Sequence, residues 1–178
     1  MKITRKALKK LILKELFEKG AAAYAFKHSV DGRQKGEPDV HSYEFTSDHG
    51  LQYTVPVFAP KETFLGDVQY DGEWNVSFTA KDPNNPDANA YGLTGMNDMK
   101  VLNTVIQVVK DFVSNVRPTL PDPLHTFTHF KCEAQQERGI PGGDTRRGRI
   151  YQYMLKKQGI RSEISLDEYG SIILEFVI

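Results

Sequence analysis

The feature that most constrains this chain is an apolar stripe in its middle. Val101, Leu102, Val105, Ile106, Val109, Phe112 and Val113 recur at helical spacing, so residues 97–116 are expected to form a helix with one broad apolar face. Asn97 or Asp98 can cap its start, and Gly95 frees the turn before it. Arg117-Pro118 and Pro121-Asp122-Pro123 end it. Segments of strand character flank it on both sides. A helix between strands of one sheet has to cross over that sheet, and such a connection joins parallel strands with a right-handed turn.

Before the helix, Ser42–Ser47 alternates, Asp48-His49-Gly50 turns, and Leu51–Phe58 alternates again. That pattern is a β-hairpin. Pro56 inside the second run points to a sheet edge or a bulge. Val68–Tyr70 and Trp74–Thr79 flank Asp71-Gly72, the turn of a second hairpin. Residues 28–40 and 81–90 read as loops, and Ala90–Thr94 as a short strand. After the helix, Leu124–Cys132 reads as a strand and Gly139–Gly143 as a flexible loop. Thr145–Lys157 reads as a helix with Ile150, Tyr151 and Met154 inward, closed by Gly159. Ile164–Leu166 and Ser171–Ile178 form a last hairpin about Glu168-Tyr169-Gly170. The expected order is helix, four strands, helix, strand, helix, two strands. This is an α+β, or mixed α/β, single domain over residues 21–178.

Residues 1–20 precede it as a basic amphipathic helix. Leu8, Leu11, Ile12 and Leu16 share one side, and Lys6, Lys9, Lys10 and Lys14 the other, with Thr4 as cap and Gly20 as stop. Residues 4–19 could dock on their own domain, on a protein partner, or on an anionic membrane surface.

With 23 Lys+Arg and 23 Asp+Glu the net charge is zero, which gives no strong nucleic-acid signal. The zero hides a pattern: net +5 over residues 2–19, −8 over 38–98 and +4 over 137–157. Segregated charge of this kind can steer an anionic ligand or partner to one face, or be neutralised across the folded surface. The single Cys excludes an intrachain disulfide framework and a four-Cys zinc site. Apolar runs are too short for a spanning helix. The single thiol and the absence of a leader-type pattern at the start suggest a reducing, cytoplasmic setting.

Chemistry-bearing residues are sparse. Arg138, Arg146, Arg147 and Arg149 flank the glycine-rich loop 139–143, and the helix start beside them adds free N–H groups, so residues 138–149 could hold an anionic or phosphate ligand. The other reading is a basic loop paired with the acidic middle of the chain. Cys132 with His129 and His125 gives no dyad, because positions 125 and 129 share a strand face and 132 takes the other. The two histidines would stand about 13 Å apart on a strand, too far for one metal ion. No metal is expected. His41 and His49 show no ligand spacing.

The stretch Ala90-Tyr-Gly-Leu-Thr-Gly-Met-Asn-Asp98 leading into a helix, then Leu124–Cys132, then Arg146-Arg-Gly-Arg-Ile-Tyr-Gln-Tyr153, resembles the GNAT-type acyl-CoA N-acyltransferase fold over about residues 68–178. In that family a loop before the long helix holds the pyrophosphate of acetyl-CoA, the next strand splays away, and a tyrosine-bearing helix follows. The resemblance implies acetyl-CoA held by Thr94, Gly95, Met96 and Asn97, with Arg146, Arg147 and Arg149 as further phosphate ligands. It implies Tyr151 as the acid that protonates the thiolate and Glu133 as the base for an amine. The loop here has one glycine and no cation, so the same resemblance also allows a catalytically decayed relative that still binds a ligand. Met1-Lys-Ile-Thr-Arg-Lys-Ala-Leu-Lys-Lys-Leu-Ile12 and Leu93-Thr-Gly with Val101-Leu-Asn-Thr-Val-Ile106 are similar to small phage-encoded proteins of unassigned role. That likeness implies a non-enzymatic virion or host-interaction protein as the alternative, docking through residues 4–19 and located in the host cytoplasm or the virion.

Overall fold

A computed structural model describes residues 22–31, 39–64, 67–89, 98–134, 146–166 and 172–178. The predicted helix 4–19, the strand at 90–94, loop residues 94–97 and 139–143, and the turn at 168–170 lie outside these residues.

The strands are β1 (Lys27–Asp31), β2 (Val40–Thr46), β3 (Gln52–Phe58), β4 (Lys61–Phe64), β5 (Asp67–Tyr70), β6 (Glu73–Val76), β7 (Thr79–Asp82), β8 (Asn85–Asn89), β9 (His129–Ala134), β10 (Arg161–Leu166) and β11 (Ile172–Val177). The helices are α1 (Asp98–Asp111) and α2 (Arg146–Lys157). The main sheet runs β1-β2-β3-β6-β9-β11-β10, with β7 paired to β3 and β8 to β7, and β4-β5 forms a separate ribbon. The fold is α+β with a mixed sheet, as the element pattern required.

The expected first hairpin is β2–β3, paired from His41↔Val57 to Thr46↔Gln52. Its turn closes at Gly50 with φ +82°, a conformation that needs glycine. Pro56 lies in the sheet interior, not at an edge. Ser77 N donates to its carbonyl, so the N–H that proline lacks would face the same neighbour. Opposite that gap the facing strand breaks into β6 and β7, which keep one register on β3 through Val57↔Val76 and Thr54↔Thr79. No residue is inserted on either strand, so the proline is met by a break in pairing and not by a bulge.

Four expectations change. β5 pairs with β4, not with β6. Asp71-Gly72 instead returns the chain to the main sheet, with Asp71 N on Pro60 O. The expected loop 81–90 is a hairpin, β7–β8, because Asp82 Oδ1 accepts Asn84 N at 2.9 Å and closes a side-chain turn. The strand expected at 124–132 is β9, beginning at His129. Leu124–Thr126 is a 3₁₀ turn, with Leu124 N bonded to Pro121 O and Thr126 Oγ1 donating to Pro123 O. β1 occupies part of the expected loop 28–40 and pairs antiparallel with β2.

α1 continues through a π-helical stretch at Phe112–Val116 into a 3₁₀ turn at Arg117–Thr119. β6 and β9 are parallel, joined through α1, as the mid-chain helix demanded. β9 and β10 run the same way with β11 inserted between them, antiparallel to both. α1 and α2 contribute Val101, Leu102, Val105, Ile106, Val109, Met154 and Leu155 to one core with Trp74, Val76, Phe130, Leu174 and Phe176. Gly159, at φ +76°, ends α2 as expected. No helix among the described residues is long and apolar enough to cross a membrane.

Candidate functional site

The parallel pairing of β6 and β9 runs only from Glu73↔His129 to Val76↔Cys132. Beyond Val76 the first strand follows β3 as β7, while β9 continues to Ala134 beside β11. The two strands therefore part. β7 stays on the β3 ladder as β6 does, and β9 stays on β11 along its full length; what ends after Val76↔Cys132 is the pairing between them.

Beside the parting, beneath α1 and α2, lies an apolar cavity of about 40 Å³. Val76 and Phe78 line it from the first strand, Cys132 from β9, Tyr151 and Met154 from α2, and Val105 from α1. A water needs about 10–15 Å³ of such space, so the cavity admits a small group and no more. Phe78 and Tyr151 meet edge to face with centroids 6.4 Å apart. Tyr151 is half-buried and amphipathic, with its ring in the apolar wall.

Of the predicted site residues, the structure brings Tyr151 to this cavity. Glu133 is the β9 residue after Cys132 and stands opposite Ile173. Arg146, Arg147 and Arg149 belong to the opening of α2, and position 147 is one helical turn before Tyr151. Their side chains, like that of Glu133, are outside what the structure describes. Thr94, Gly95, Met96 and Asn97 lie just before the described start of α1. His125 pairs with Asp122 at 3.2 Å on the 3₁₀ turn, and His129 opens β9, so the two share no strand face. No group of three or more His, Cys, Asp or Glu among the described residues could hold a metal ion.

Sequence reasoning passed over a second cluster. His28 Nε2 and His41 Nδ1 are 3.3 Å apart, across the β1–β2 ladder. His28 stacks on Tyr43 at 4.6 Å, and His41 meets Phe112 edge-on at 5.3 Å. Burial holds the His41 pKa below its ordinary value, His28 lowers it further, and Asp39 opposes both. The buried Tyr43 hydroxyl makes no hydrogen bond of good geometry. Burial, with the Asp111 carboxylate nearby, pushes its pKa well above the usual tyrosine value. The one usable sequence signal was His41-x-Tyr43, which puts both rings on one face of β2.

Near the start of α1, Lys100 Nζ bonds Asp48 at 3.1 Å and lies 4.0 Å from the Tyr24 ring centroid. The Lys100 hydrogen bond holds the Asp48 carboxyl below the usual carboxylate range. This group ties the β2–β3 turn to the helix and is structural.

Compared with protein-family models, curated proteins and solved structures, the chain gives no match.

Proposed function

We propose that the parting of β6 and β9 is the acyl-donor site of an acyl-CoA-dependent N-acyltransferase of GNAT type. The observation that carries this reading is the position of Tyr151, in the wall of an apolar cavity where two parallel strands separate beside the helix that joins them. The strand order β6-β9-β11-β10, with α1 before β9 and α2 after it, supports it.

The residues fit such a donor in part. An apolar space of about 40 Å³ suits the short acyl end. Arg146, Arg147 and Arg149 at the start of α2, and loop residues Thr94–Asn97 ahead of α1, would hold its phosphates. An amine attacks the thioester carbonyl, the C–N bond forms and the C–S bond breaks. Tyr151 Oη gives its proton to the leaving thiolate. Position 133 follows the cavity residue Cys132 and so takes the other sheet face, which leaves Glu133 without a part in this step, and the proton released by the amine passes to solvent.

Calorimetric titration with acetyl-CoA tests the reading. Binding is expected, weakened by Gly95→Asp. Tyr151→Phe is expected to keep the affinity while lowering acyl transfer to an amine by about 10²-fold or more. No heat at millimolar acetyl-CoA would refute it.

A further inference from the structure

β1 is the outermost strand of the main sheet among the described residues, and all five of its residues are exposed. It buries almost nothing of its own, and Val30 on it remains 51% exposed. Besides its ladder to β2, side-chain contacts hold it, among them the His28 stack on Tyr43 at 4.6 Å. Ser42 Oγ donates to Asp31 Oδ2 at 3.1 Å, and the His28 and His41 rings meet at 3.3 Å. By contrast β2 is buried over most of its length, with His41 only 4% exposed.

We infer that the His28–His41 pair is a proton-operated latch that pins edge strand β1 to the sheet while at least one ring is neutral and releases it when both are charged. Between two neutral imidazoles one nitrogen donates and the other accepts. One added proton preserves that bond, because a charged ring donates to a neutral one. A second proton turns both facing nitrogens into donors, and the contact becomes repulsive. The His41 side of the pair sits against Phe112 and is buried.

The charged groups around the pair come from each neighbouring element. β1 itself carries Lys27 and Asp31, and Glu44 of β2 stands opposite Lys27. Asp39 precedes β2 and favours a charged His41, while burial and His28 disfavour it more. Asp111, at the end of α1, acts on Tyr43 beneath His28. Because the folded His41 pKa is lowered, the unfolded chain binds more protons just below the ordinary value of 6.5. The stabilisation is thus complete above pH 6.5 and is lost as pH falls through the lowered value.

Amide exchange on the whole chain at pH 7.5 and pH 5, expressed as protection factors, tests this. The amides of residues 27–31 should lose protection relative to those of β3, by up to about tenfold per pH unit for each linked proton. His28→Gln should hold the ratio constant, because the amide can donate to a neutral His41 or accept from a charged one. His28 is exposed, so that variant is expected to fold; His41→Gln is the second test. A β1-to-β3 ratio unchanged between the two pH values, or an equal loss in both Gln variants, would overturn the inference.

Discussion

The two sides of the β6–β9 seam are filled by different means. On the β2–β3 side, aromatic rings stack in layers: Tyr24 on Phe45 at 5.6 Å, and Phe45 on Tyr53 at 4.9 Å. Polar groups are buried among them, including His41, Ser42, Ser47 and Thr104. On the β9–β11–β10 side the filling is aliphatic, from Met154, Leu155, Ile160 and Leu174, with the stacked pair Phe130–Phe176. The cavity lies against this second side. Flat rings and hydrogen-bonded polar groups such as Thr104, though not the Tyr43 hydroxyl, fix this half, whereas flexible aliphatic chains leave space that a ligand group can take. The seam is four residue pairs long. It joins a tightly filled half to a looser one, and the candidate site sits where the filling changes.

The largest expected effect comes from the seam itself. Trp74 is 1% exposed, bonds Phe127 O through Nε1, and packs edge-on against Phe112. Trp74→Ala should cost about 3–5 kcal/mol in urea unfolding followed by circular dichroism. One cooperative loss is expected. Separate transitions would mean that the halves fold independently.

Next comes the polar side. Thr104 Oγ1 accepts Tyr24 N at 2.9 Å and donates to Lys100 O at 2.7 Å. Thr104→Val should cost about 1–3 kcal/mol, because it leaves a buried N–H without a partner. An unchanged urea midpoint would remove the claim that buried polar bonds hold this half.

A paired substitution compares the filling directly. Val55→Ile, in the tight half, should cost about 1–3 kcal/mol through overpacking. Val76→Ile, beside the cavity, should be neutral or gain up to about 0.8 kcal/mol. Equal costs would erase the contrast. The smallest effect belongs to Asp48, which is exposed: Asp48→Asn should leave the thermal midpoint within error, since screened surface pairs contribute little.

How much was legible follows from the same physics. β3, α1 and α2 showed in the sequence because one apolar face of each is buried, so periodicity marks them, while β2, buried on both faces over Val40–Tyr43, alternates only from Tyr43 onward. β1 carries no such mark, since every residue of it is exposed. β8 hid behind Asn85-Pro86-Asp87, residues that read as loop but here extend a side-chain turn. β5 has a sequence-adjacent partner on either side, and where Asp71-Gly72 suggests β6 the chain pairs it with β4, two residues away. Tyr151 could be singled out from its helix. Phe78 and Cys132 could not be joined to it, because the three meet only when β6 is laid beside β9. The His28–His41 contact spans a hairpin between residues of unremarkable spacing, and only the β1–β2 register reveals it.

The most direct test of the acyl-donor reading is a map of amide protection with and without acetyl-CoA. Protection should rise at residues 76–80, 130–134 and 151–155, on both sides of the parting, while β1 and β2 stay unchanged. Absence of any change at millimolar ligand, or a footprint confined to β1–β3, would contradict it.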